Sequence, residues 1–144
     1  MTENIYFEDQ YFVVSHLREE NAVLCRVKTT YIPMMDFQVS FNRIGELVER
    51  EKIERMIFDK SNLTTFHQPS MEWYHVDWKE KMHPHGLKAY WKILPKNEFF
   101  AQSVKIGRDK IRKNHPSFDF DKYDIRYFDS LEAALAGEVA LSPK

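Results

Sequence analysis

The stretch "MIFDKSNLTTFHQPSMEW", residues 56–73, gathers side chains that can do chemistry. It carries Asp59, Lys60, Ser61, Asn62, Thr64, Thr65, His67 and Ser70 between an apolar run and an amphipathic one. A carboxylate, an imidazole and a hydroxyl are the parts of a nucleophilic triad. A triad is made by geometry, however, not by closeness in sequence, and no "GxSxG" elbow occurs. An Asp at a strand end commonly accepts the backbone hydrogen bonds of the following turn. A serine at a helix start commonly caps it. A phosphate on such a serine would meet free backbone amides and the helix dipole. Asp59, Ser61, Asn62 and Ser70 are therefore candidates for a switch or ligand loop, and no catalytic residue is assigned.

His67, His75, His83 and His85 cluster in sequence, but a structural zinc site needs four ligands at fixed spacing. His67 and His75 are eight apart, and His83 and His85 flank Pro84 in a turn. No metal site is expected. The lone Cys25, inside "AVLCRV", excludes an intrachain disulfide and any cysteine metal cluster, and it reads as a buried thiol. With 4 glycines there is no Gly-rich phosphate loop, and no cofactor is implied. Aromatic residues make up 15% of the chain, more than a small core requires. Trp73, Trp78 and Trp91 are the candidate aromatics of an interface or pocket. Two occupants suit them, a second copy of the chain in a homodimer and a small apolar or lipid-like ligand. The basic run Lys105, Arg108, Lys110, Arg112 and Lys113 is balanced elsewhere, since the net charge is −1. Nucleic-acid binding is not expected.

The elements that must position these residues follow from periodicity. A length of 144 residues suits one domain, 1–144. No apolar run nears the ~18 residues of a membrane span, and the N-terminus lacks a signal-peptide order. A cytoplasmic protein without membrane insertion is the expectation. Residues 5–16 read as a short strand or paired ribbon. Residues 21–32 read as a strand hairpinned to it around "LREEN". Pro33 opens a helix whose inward stripe is Met34, Phe37, Phe41, Ile44, Leu47 and Val48, interrupted by Gly45. Residues 55–59 form a buried strand. Residues 68–81 make a helix facing the core with Met71, Tyr74 and Trp78, and 87–95 a strand. The spacing predicts a helix over 98–113 with Phe99, Phe100, Ser103, Val104, Ile106 and Ile111 inward. Residues 123–130 give a last strand, Asp129 or Ser130 caps a short helix, and "VALSPK" frays. The order β-β-α-β-α-β-α-β-α makes an α/β fold, an open, mostly parallel sheet with an antiparallel N-terminal hairpin and helices packed on it.

This layout resembles the STAS fold of anti-sigma-factor antagonists and sulfate-transporter tails. It is closer to the SpoIIAA-like (STAS/CRAL-TRIO-like) group of small bacterial proteins. The likeness rests on "FEDQYFVV", "MIFDKSNL", "SMEWYHVDW", "GLKAYWKILP" and "YFDSLEAALA", which together span nearly the whole chain. The resemblance implies a non-enzymatic regulatory or protein-interaction module. In anti-sigma-factor antagonists a partner kinase phosphorylates a serine at a strand-to-helix passage, within an Asp-Ser-Ser-Gly type motif. That motif is absent here, and Ser61 and Ser70 merely occupy the matching junction. The CRAL-TRIO likeness implies the apolar-ligand alternative.

Overall fold

The structure, a computed structural model, describes residues 4–65 and 67–137. The expected fraying of "VALSPK" falls outside them. Six strands form one sheet in the order β1-β2-β3-β4-β5-β6. They are β1 Asn4–Glu8, β2 Phe12–Leu17, β3 Ala22–Val27, β4 Arg55–Asp59, β5 Ala89–Ile93 and β6 Asp124–Phe128. The pairs β1·β2 and β2·β3 are antiparallel, and the remaining three are parallel. The fold is the expected open α/β sheet with one strand more at the start. The stretch 5–16 is two strands because Asp9 turns the chain between them. Its Oδ1 accepts from the amides of Tyr11 and Phe12, both at 2.8 Å. The expected hairpin is β2–β3, closed over residues 18–21 with Asn21 at φ 48°.

Helix α1, Met34–Glu51, follows Pro33 and ends at Lys52, whose φ of 53° is left-handed. Helix α2, Gln68–Glu72, runs on as a π-helical stretch, Trp73–Lys79, then as α3, Glu80–Met82, and a 3₁₀ turn, His83–His85. Helix α4 is Glu98–Asn114, a second 3₁₀ turn is Phe120–Lys122, and α5 is Leu131–Ala136, capped by Ser130. Strands numbered in sequence lie side by side. Every right-handed crossover therefore puts its helix on the same face. That face holds the larger core, in which Phe12, Phe41, Phe58, Tyr74 and Trp78 meet ring against ring. The opposite face carries a smaller core of Leu17, Leu24, Ile57, Trp91, Ile93 and Phe128, with Ala134 of α5.

Gly45 of α1 faces Trp78 of the π-helical stretch and Met82 of α3. A Cβ there would lie 3.3 Å from Met82 Cε and 3.5 Å from Trp78 Nε1. Helix α4 departs from its expected face. Its buried residues are Phe100, Val104, Gly107 and Ile111, whereas Phe99 and Ile106 are 82% and 55% exposed. The buried stripe runs through a glycine, which sequence hydrophobicity alone does not mark.

Candidate functional site

Three lysines are buried on the helix-covered face. Lys60, Lys79 and Lys92 are 3%, 0% and 3% exposed. Lys92 is on β5, two residues from Tyr90, so strand alternation turns both toward the larger core. Lys60 directly follows β4, held by its amide to the Ile93 carbonyl at 2.8 Å. Lys79 is carried in by the π-helical stretch, whose widened turns rotate successive side chains away from α-helical positions. The three amines surround one ring. Their Nζ atoms lie 5.8, 4.9 and 5.4 Å from the Tyr74 centroid. Lys60 also lies over Phe58 at 4.7 Å, and Lys79 over Tyr90 at 4.2 Å.

No carboxylate among the described residues pairs with any of them. Among the described residues Lys60 Nζ donates to Met71 Sδ at 3.7 Å. Lys79 Nζ has no acceptor. Arg108 of α4 donates from Nη1 to the Tyr127 hydroxyl at 2.9 Å, while its Nε is buried without a partner. His75 is 4% exposed, and its Nδ1 is also without a partner. Burying an unpaired cation costs several kcal/mol, and ring faces repay only part of it. Burial therefore lowers Lys60 to about 8. Burial and the neighbouring cations hold Lys79 and Lys92 well below the ordinary lysine value, and His75 well below its own.

Lys60, Lys92, His75, Arg108, Met71 and Leu94 line a cavity of about 10 Å³ beneath α4. That is room for one water-sized occupant. It lies toward the carboxyl ends of β4 and β5, the side on which open α/β sheets take ligands. The strand order never reverses, so there is no crevice at a switch point, and α4 roofs the space instead.

The loop after β4 is occupied with its own turn. Asp59 Oδ1 accepts from Ser61 N at 3.0 Å and from Ser61 Oγ at 2.6 Å. Asn62 Nδ2 donates to the Val27 carbonyl at 2.9 Å, tying the loop to β3. His67 Nδ1 meets Ser70 Oγ at 2.8 Å, and Ser70 is buried. Asp59 and His67 thus engage different serines, and of the two serines only Ser61 is exposed. Trp78 is a core side chain, 2% exposed, with its indole N–H donating to the Phe41 carbonyl at 2.8 Å. Trp73 is half-buried against Phe37. Trp91 lies on the opposite face, with Arg55 and Arg126 at 4.2 and 4.9 Å from its ring.

The histidines point to separate neighbours: His75 to Phe118 and Phe120, His83 to Tyr123, and His85 to Glu49 at 3.1 Å. Among the described residues no three His, Cys, Asp or Glu side chains are placed to hold a metal. Cys25 is buried, and burial pushes its thiol up. No helix of the described residues is long and apolar enough to cross a membrane.

Sequence reasoning passed over Lys60, Lys79, Lys92 and Arg108 as a group. Strand alternation through Tyr90 was a usable signal for Lys92. Nothing in the α-helical period marks Lys79. Comparison of the chain with family models, with curated proteins and with solved structures finds no match.

Proposed function

We propose that this protein is a binding module for a small anionic ligand, taken up in the cavity between β4, β5 and α4. One observation carries the reading: Lys60, Lys79 and Lys92 are buried together with no carboxylate among the described residues to balance them. An anion seated between Lys60, Lys92 and Arg108 would supply the missing charge and turn a cost into charge-assisted hydrogen bonds. The cations around the cavity favour an anion over the wholly apolar ligand that the CRAL-TRIO likeness implies. The STAS/SpoIIAA-like resemblance supports a regulatory module in the cytoplasm rather than a catalyst.

The test is thermal melting at matched ionic strength in chloride, formate and gluconate. The small anions are expected to raise Tm relative to gluconate, which is too large for the cavity. Lys60→Met and Lys92→Met are expected to lose that difference. Identical melting in all three salts would sink the reading.

A second reading, a protein-interaction module acting as a homodimer, is favoured by exposed apolar side chains on two helices. Met35 and Val39, one turn apart on α1, are 78% and 61% exposed, and Phe99 and Ile106 stand out from α4. Light scattering after chromatography tests it. A dimer mass that reverts to monomer in Met35→Glu or Phe99→Glu supports it, and a monomer in the wild type ends it.

A further inference from the structure

We propose that Lys60 Nζ is an acceptor of carbon dioxide and forms a carbamate whose carboxylate faces Lys92 and Arg108. The inference rests on the anion-binding reading above and names the ligand that satisfies it.

Three features of the cavity point to this chemistry. The first is charge. Every ionisable group at the cavity is basic: Lys60, Lys92, His75 and Arg108. Carbamylation replaces a cation by an anion on the same side chain, so one small reaction corrects an imbalance that a neutral ligand would leave. The second is space. A cavity of about 10 Å³ excludes most metabolites. It holds one water-sized molecule as it stands, and the flexible thioether of Met71 gives way to admit the slightly larger carbon dioxide. Carbon dioxide is also uncharged, so it can cross the apolar roof that Val104 and Ile111 provide.

The third feature is the nucleophile. Among the described residues Lys60 Nζ donates to a sulfur at 3.7 Å and lies over the faces of Phe58 and Tyr74, and no donor is recorded against its lone pair. A desolvated amine beside other cations has a substantial neutral fraction near neutral pH. The lowering of Lys60 to about 8 agrees with this. Lys79 does not line the cavity. Lys92 stands within the sheet, in register with Phe58 and Tyr127, and is placed as the counter-charge.

The step balances without any redox partner. The neutral Nζ lone pair attacks the carbon of CO2 and an N–C bond forms. One C=O π pair moves onto oxygen, giving the carboxylate. The nitrogen releases one proton. His75, which lines the cavity with Nδ1 unpartnered, is the group placed to take it, and its basicity rises as the anion forms beside it.

The experiment uses the full chain in ¹³C-bicarbonate at mildly alkaline pH. A carbamate resonance is sought by ¹³C NMR, and the adduct is fixed with a trialkyloxonium salt and located by peptide mass mapping. The expected result is a resonance in the wild type and a trapped adduct at Lys60. The resonance should be lost in Lys60→Arg, weakened in Lys92→Met and unchanged in the surface control Lys110→Arg. Mapping in the wild type needs no variant, so misfolding of Lys60→Arg leaves the test intact. No resonance, or an adduct only at other lysines, overturns the inference. If chloride and formate raise Tm while no carbamate forms, the carbamate fails and the anion site stands. If small anions do nothing and no carbamate forms, both fall.

Discussion

Lys79 Nζ lies 4.2 Å from the centroid of the Tyr90 ring and pairs with no carboxylate among the described residues. A ring face returns ~2 kcal/mol to a desolvated cation, less than burial of an ammonium takes away. Lys79→Met keeps the length of the side chain and removes the charge. The variant is expected to be more stable at neutral pH by about 1–4 kcal/mol, read from urea unfolding midpoints. A lower midpoint would mean that the amine is compensated in solution.

The same imbalance sets a pH profile. The folded pKa of Lys60 is about 8, below its ordinary 10.5. The penalty for burying its charge is full below about pH 8 and fades as pH rises toward 10.5, where the unfolded amine also loses its proton. At full strength it is on the order of 3 kcal/mol. His75 is depressed by burial, so stability is lost as pH falls through 6.5 and the unfolded imidazole gains a proton. Burial raises Tyr74 and Tyr90, so stability also declines above pH 10.0, where unfolded phenols ionise. Denaturant melts in a weakly binding buffer should therefore peak between about pH 8 and 10. A peak at pH 6 would contradict the buried-lysine account.

Trp78 joins the π-helical stretch to α1 through its bond to the Phe41 carbonyl and the edge-to-face contact of their rings at 5.1 Å. Trp78→Phe removes the donor and leaves a void. The expected loss is about 1–3 kcal/mol, measured by denaturant unfolding. A change below the scatter of the measurement would show that a neighbour takes over the contact.

Lys52 closes α1 in the left-handed region with its amide on the Val48 carbonyl. A side chain there costs about 1 kcal/mol that glycine avoids. Lys52→Gly is expected to raise the unfolding midpoint by a corresponding amount. A fall in stability would mean that the flexibility gained by the unfolded chain dominates.

Some of this architecture was plain in the residues. The strand 55–59 reads at its true ends because an apolar run is bounded by charges on both sides. Asp129 or Ser130 reads as a cap, and Ser130 is the one that acts, its Oγ accepting from the Ala133 amide at 3.1 Å. Other parts answer to tertiary packing. The tight turn at Asp9 depends on where one carboxylate points. The inner face of α4 runs through Gly107, so Phe99 is left outside although it is the more apolar residue. Tyr74 and Trp78 face inward as an α-helical period requires, yet Lys79 is buried beside them because seven residues wind as a π-helix. The loop residues Asp59, Ser61, Asn62 and Ser70 drew attention by type. The cavity is built instead from lysines that a sequence reader assigns to the surface.

A sheet whose spatial order copies its chain order has a consequence for how it is made. Each new strand docks on the edge left by the one before, so no strand waits for a distant partner. Each of the three parallel pairs still closes over a helical crossover, and sequential order keeps that separation as short as a crossover allows. It also matches the direction of synthesis. The antiparallel strands β1, β2 and β3 are synthesised before β4, β5 and β6 and offer the template edge on which these assemble in turn. The rim at the other side, β1, is broken by a bulge between Ile5 and Phe7, which discourages a stray chain from joining there while the rest is still emerging.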